Sequence, residues 1–507
     1  MQTKIVWGVL LCLGLLLLLT ACGAKETGGE KKPEESPVTG APELSGGAEP
    51  TTGEPTGTTE LTGATPTHEA ELTGEPEPTP SAAPDLSGGA EPTAGAEPTG
   101  ATEPTATKAP TATKAPSPTK AAGNTPTKAP QLTPTKAPTG PTGNSNEMRD
   151  LTTMELVRDM GIGINLGNTF ESCGDWITGN TPRSYETAWG SPVITEKMIA
   201  GMAEAGFGVL RIPVAWSNMM GDDYTISPAY LKRVKEVVDM AISNDMYVII
   251  NIHWDGGWWS QFSTEKSECM YRYTRMWTQL CDAFGAYGDR LMFESLNEEG
   301  CWNDIWNRYG GTSGKSAAYA LLNEINQKFV DVVRGSGGNN AKRHLLIAGY
   351  ATDISLTCDK LFQMPSDPAG RMAVSIHYYT PAGFCILEKD ESWGKVQTEW
   401  GSAGDLAELK GYMRQLYDTF IAKGIPVIMG EYGCVTKNKT QEQIRNFLST
   451  VCRTAYDAGI CPILWDINYT ENLSWSIYNR STCKINDSAL AKSFLEIAKS
   501  KTTPKRP

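Results

Sequence analysis

From residue 147 to the end of the chain, short apolar runs alternate with longer stretches in which apolar residues recur every three or four positions. The first pattern is that of buried strands and the second that of amphipathic helices. Their regular alternation predicts a parallel sheet with crossover helices. Eight strands are expected, near 161–168, 209–214, 247–253, 291–298, 344–350, 372–379, 426–431 and 461–468. The clearest helix covers 227–244, where Ser227 suits the N-cap, Pro228 the first turn, and Leu231, Val234, Val238, Ala241 and Ile242 form one stripe. Eight β/α units in about 340 residues fit a (β/α)₈ barrel with enlarged loops. A doubly wound open sheet fits less well, because no GxGxxG follows the first strand.

Composition separates this region from what precedes it. Residues 23–146 contain no Phe, Trp, Tyr or Cys, so they cannot bury a core. ELSGGAEPT at 43–51 returns as DLSGGAEPT at 85–93, and TKAP begins at Thr107, Thr113, Thr127 and Thr135. Repeats this short, without apolar periodicity, read as a disordered linker. Further upstream, Lys4 precedes an apolar run at 5–19 that closes with Leu19-Thr20-Ala21-Cys22. The run falls short of the roughly 20 residues that span a bilayer, so residues 1–21 are expected to be a signal peptide. LTAC resembles the bacterial lipobox, whose cysteine becomes lipidated and N-terminal. The resemblance implies that Cys22 is a lipid anchor and that the protein stands outside a bacterial cell, tethered to its membrane. The expected organisation is signal peptide 1–21, anchored linker 22–146 and catalytic domain 147–507.

Of the net charge of −13, the linker carries −8 and Lys4 +1, which leaves −6 on residues 147–507. A mildly acidic domain without basic clusters gives no support to nucleic-acid binding, and its partner is expected to be uncharged or small. Ten of the twelve cysteines lie in the domain, but none forms a CxxC pair, and a domain this size can bury a core without staples. Disulfide connectivity stays open at this point. No metal is expected, since His253, His344 and His377 have no ligand spacing with a cysteine pair. No cofactor is expected either, and the chain is read as a monomer.

The candidate chemistry lies at the strand ends. LMFESLNE (291–298) and PVIMGE (426–431) each finish in a glutamate. In a barrel, the C-terminal strand ends line one cup where the reaction takes place. Two carboxyls there suit general acid/base or nucleophilic hydrolysis. The other strand ends bring Asn165, Asn168, Arg211, His253, Asn297, His377, Tyr379 and Trp465. Arg211 and Tyr379 are the candidates for keeping one carboxylate ionised.

Eight stretches in combination resemble the family 5 glycoside hydrolases, retaining β-glycanases on the (β/α)₈ barrel. They are INLGNTFE (164–171), ETAWG (186–190), RIPVAW (211–216), VIINIHWDGGW (248–258), FESLNEEG (293–300), VSIHYYTP (374–381), VIMGEYG (427–433) and ILWD (463–466). The elements GNTFE and ETAWG are most similar to the branch of endo-β-1,4-glucanases, lichenases and xyloglucanases. The resemblance implies Glu298 as acid/base and Glu431 as nucleophile. It also implies Asn297 at the sugar 2-hydroxyl, His253 and His377 in the polar wall, Trp465 stacked under the sugar, and Asn168 and Glu171 at the neighbouring sugar. Trp258, Trp259 and Trp302, directly after strands three and four, are expected to extend the aromatic platform.

Two departures stand out, His253-Trp254 where the branch often has His-His, and Asn297-Glu298-Glu299 where Asn-Glu-Pro is usual. Glu299 is expected to be solvated. The implied substrate is cellulose, mixed-linkage β-glucan or xyloglucan. A mannanase or xylanase of the same fold is the alternative, and a glycan-binding lipoprotein without catalysis a more distant one.

Overall fold

A computed structural model describes residues 146–300, 302–468 and 474–507. The expected signal peptide, Cys22, the expected linker to residue 145 and Cys301 lie outside the described residues. Eight parallel strands close a barrel in chain order: β1 (Gly163–Asn165), β2 (Val209–Ile212), β3 (Tyr247–Ile250), β4 (Leu291–Glu294), β5 (Leu345–Ala348), β6 (Met372–Tyr378), β7 (Val427–Tyr432) and β8 (Cys461–Leu464). The seam closes at Gly163, which pairs with Val209 on one side and Ile463 on the other. All eight strands stand where the apolar runs put them, but most are shorter. β4 stops at Glu294, so Glu298 sits in the loop four residues beyond it.

The barrel interior is layered. Val209, Ile249, Met292, Leu346, Ala373, Ile428 and Ile463 form its lower apolar filling, together with Leu156, Val157 and Met160 of the helix Thr153–Met160. That helix plugs the lower end, and Thr152 and Glu155 close its first turn as a capping box. A larger core separates the strands from the outer helices, among them Pro228–Ser243, which starts after Ser227 as expected. The Ser227 side chain makes no capping bond. Two residues further along the strands the inward positions become polar: Val209 gives way to Arg211, Met292 to Glu294 and Ala373 to Ser375.

One irregularity decides where the second glutamate points. On β7, Ile428 faces the interior, whereas Val427 and Met429 face the outer core. Strict alternation would therefore turn Glu431 outward. The pairing with β6 shifts register there, with Ile376 opposite Met429 but His377 opposite Glu431, so Gly430 is an extra residue. Such a bulge re-aims the side chain that follows it. A Cβ on Gly430 would meet His377 Nε2 and Ser375 Oγ, each at 3.1 Å. Gly430→Ala is thus expected to displace His377 and Glu431 by a few tenths of an ångström. Such a shift should lower kcat by about 10- to 100-fold with little change in Tm, since small misplacements cost up to that much. Steady-state kinetics beside a melting curve check this.

Candidate active site

Arg211 is fully buried at the end of β2, and four side-chain acceptors share it. Its Nε donates to Glu294 Oε2 at 2.7 Å, Nη1 to Glu431 Oε1 at 2.8 Å and Asn165 Oδ1 at 3.0 Å, and Nη2 to Asn297 Oδ1 at 2.8 Å. Burial opposes the charge, but the carboxylates of Glu294 and Glu431 hold the guanidinium above its ordinary range. Glu294 takes a further bond from Ser375 Oγ at 2.7 Å. Asn165 donates to the carbonyl of Gly430 at 2.9 Å, which ties β1 to the bulge. Strand-end reading did not single out Glu294. Its signal is the acid that closes the apolar run LMFE.

Glu431 receives Arg211 on one oxygen and the Tyr379 hydroxyl on the other, at 2.8 Å each. Burial pushes its pKa up, while His377, Arg211 and the Tyr379 bond pull it down. Glu298 has fewer partners. Burial raises its carboxyl to about 7, and Arg211 is the opposing influence. Three carboxyls thus face one guanidinium, so the site holds a proton most easily on Glu298. At 16% side-chain exposure Glu298 is also the most open of the three, against 6% for Glu431 and none for Glu294.

His377 Nδ1 lies 2.7 Å from Glu298 Oε1 and 3.7 Å from Glu431 Oε2. Its Nε2 is buried against Gly430 without a hydrogen-bond partner, which assigns the ring proton to Nδ1. Burial lowers the imidazole to about 4, so it works as a neutral donor to Glu298. The other Glu298 oxygen is left to carry the acidic proton toward the cleft. His253 is neutral as well, lowered by burial and by the neighbouring Arg211. Asn251 donates to its Nδ1 at 3.3 Å, placing the proton on Nε2. Its ring lies nearly parallel to Trp465, 5.9 Å away.

The fold thus brings together Arg211, Asn297, Glu298, His377, Tyr379 and Glu431, with His253 and Trp465 beside them. Trp258 and Trp302 are different. Both indoles are buried in the main core, where Trp258 Nε1 donates to Asp255 at 2.6 Å and Trp302 Nε1 to the Trp259 carbonyl at 3.3 Å. The loops after β3 and β4 pack these rings, with Trp259, against the main core. Glu171 is buried too, its carboxylate accepting the backbone N–H groups of Asn168 and Thr169. It shapes the loop after β1, where Asn168 takes a left-handed φ of 55°. Asn168 itself donates to the Trp189 carbonyl at 3.4 Å.

Glu299 corrects a further expectation. It is 1% exposed rather than solvated, and neither carboxyl oxygen has a hydrogen-bond partner. Burial holds its pKa well above the ordinary carboxylate value, with Glu298 and Glu294 adding to the effect. A raised folded pKa contributes stability that is complete below the unfolded value and lost as pH rises toward the folded one. Glu299→Gln keeps the shape and removes the titration. Its Tm is expected to equal that of the parent near pH 4. At pH 8 it should exceed the parent by at least about 1 °C, the shift that 1 kcal/mol gives at about 2.1 cal/mol/K per residue over residues 147–507. Melting curves across that range check the sign. Elsewhere, the nine cysteines among the described residues are free thiols.

A closed barrel whose C-terminal mouth brings together one carboxyl pushed up to about 7 and another bonded to a buried guanidinium is an architecture suited to paired-carboxyl chemistry. The model of the cellulase family, glycosyl hydrolase family 5, matches residues 172–471, and the chain belongs to that family. Endoglucanase A of Clostridium longisporum is 36% identical over 335 residues, which is 65% of this chain and 62% of the relative. The xyloglucan-specific endo-beta-1,4-glucanase of Bacteroides ovatus is 36% identical over 365 residues, 68% of this chain and 69% of the relative. A solved broad specificity endoglucanase from an uncultured bovine rumen ciliate aligns with a TM-score of 0.63 at 36% identity, covering 69% of this chain and 98% of that one.

Proposed function

We propose that this protein is an endo-acting, retaining β-1,4-glucanase. The observation that carries the mechanism is the spacing of its carboxyls. An oxygen of Glu298 and one of Glu431 lie within 4.8 Å of each other. Retaining enzymes hold the pair about 5–5.5 Å apart, whereas inverting ones leave about 6.5–9.5 Å for a water. Glu431, ionised between Arg211 and Tyr379, attacks the anomeric carbon while Glu298 gives its proton to the leaving oxygen. A glycosyl-enzyme ester forms and the Glu431 charge disappears. Glu298, a carboxylate once its proton has gone to the leaving oxygen, then takes a proton from water, and the water oxygen displaces Glu431 and restores both groups. Asn297, oriented by Arg211, faces the sugar 2-hydroxyl in this reading, and Trp465 supports the ring.

The endoglucanase names of the relatives support a β-1,4-glucan substrate: cellulose chains, mixed-linkage glucan or xyloglucan. The purified domain is expected to cut soluble forms of these with a fall in viscosity that outpaces release of reducing ends. Hydrolysis of mannan or xylan in their place would overturn the substrate. The signal peptide and lipobox support export and attachment of a monomer to the cell membrane through Cys22. Labelled fatty acid should enter the wild-type chain in bacteria and not a Cys22→Ala variant.

A further inference from the structure

Beside the main core lies a small separate cluster of Val435, Trp465, Ile467 and Trp475, against which Tyr379 and Ile386 pack. Two of the side chains it holds belong to the reaction as read above: Trp465 and Tyr379. Trp475 is the member that touches Tyr379. Their rings meet edge to face, with centroids 5.3 Å apart and planes at 89°. Tyr379 is only half-buried, so the loop alone does not fix its ring. Its hydroxyl must nevertheless stay 2.8 Å from Glu431.

Trp475 is itself held in an uncommon way. It is 3% exposed, and its backbone adopts a left-handed φ of 70°. For a bulky residue that conformation is an outlier, and such strain persists only where the surroundings impose it. Here the carbonyl of Trp475 accepts the N–H of Ile467 at 3.2 Å. On its other side the indole lies over Gly433, two residues past Glu431. A Cβ at Gly433 would stand 3.3 Å from the Trp475 ring and 3.6 Å from Trp465 Cβ. A glycine beside the nucleophile thus makes room for the indole that braces the nucleophile's hydroxyl donor.

We infer that Trp475 is a positioning residue, acting through Tyr379 to set the hydrogen bond on Glu431. The inference rests on the retaining reading of the site. The groups facing Glu431 are Arg211 on β2, Glu298 after β4, and His377 and Tyr379 at the end of β6. Of these, Tyr379 is the one in ring contact with Trp475. Loss of the brace should therefore act on Glu431 as loss of the hydroxyl does.

The test is a double-mutant cycle on an aryl β-cellobioside, with pH profiles and melting curves. Tyr379→Phe is expected to lower kcat/KM at least tenfold and to move the acid limb to higher pH. Trp475→Ala should do both, Trp475→Phe should recover most of the rate, and the double variant should fall less than twofold below the worse single. Independent, multiplying effects would overturn the inference, as would a wild-type acid limb in Trp475→Ala. If Trp475→Ala does not fold, Gly433→Ala takes its place with the same coupling expected. Should Tyr379→Phe itself leave rate and acid limb unchanged, the assignment of Glu431 fails instead, which separates the two failures.

Discussion

Glu431→Gln is expected to lower kcat on soluble β-glucan by about 10⁴- to 10⁶-fold, the range for removing a nucleophile from a group of residues that act as a unit. The amide keeps the size of the carboxyl and can still accept from Arg211. What it lacks is the negative charge that attacks the anomeric carbon. Folding should survive, because Arg211 keeps Glu294 as its counter-charge at 2.7 Å. This matters, since stranding a buried guanidinium would cost several kcal/mol. The loss should therefore be in rate alone. Calorimetry with a cello-oligosaccharide is expected to give a Kd within a few-fold of the KM of the parent, with Tm nearly unchanged. Retention of more than a hundredth of the parental rate would rule Glu431 out as nucleophile.

The survival of that variant depends on Glu294, a residue that strand-end reading passed over. Apolar runs located all eight strands because a parallel barrel strand is buried on both faces and shows as a continuous run. The runs did not show where pairing ends. The stretch to Glu298 reads as one strand, yet its last four residues leave the sheet to form the cup. Glu298, Glu431, Arg211 and Tyr379 were legible as a group because each lies at a strand's C-terminal end or in the loop just beyond it, and the fold brings them together. Depth within the loops was not. Trp258 and Trp302 follow strands as cleft aromatics do, but hydrogen bonds to Asp255 and the Trp259 carbonyl turn them inward. Glu299 carries a charge in sequence and is buried in the fold, because tertiary packing and not residue type decides which side of a loop faces water. The bulge at Gly430 left one trace, a glycine ahead of the glutamate, which periodicity alone would have turned outward. Trp475 left none, since it follows Trp465 by ten residues with no pattern between them.

Glu298→Ala should separate the two halves of the reaction. A polysaccharide leaving group needs a proton, so hydrolysis of β-glucan is expected to fall by about 10²- to 10⁴-fold, the usual contribution of general acid catalysis. A dinitrophenyl β-cellobioside needs none, because its phenolate leaves unaided. With that substrate the glycosyl-enzyme should form at close to the parental rate and then accumulate, since no base remains to activate water. The result is a burst of phenolate followed by a slow steady state. Azide needs no base: it attacks the anomeric carbon directly, the bond to Glu431 breaks, and a β-glycosyl azide leaves with the enzyme regenerated. Added azide should therefore raise the steady-state rate in Glu298→Ala and not in the parent. The alkaline limb of kcat/KM on glucan is also informative. In the parent, activity on glucan should decline above about pH 7, where Glu298 loses its proton. Loss of the acid removes that limb. His377, whose Nδ1 proton otherwise points at Glu298, does not replace it, because burial keeps the imidazole neutral above pH about 4. An equal loss on both substrates, without burst or azide effect, would show that Glu298 is not the proton donor.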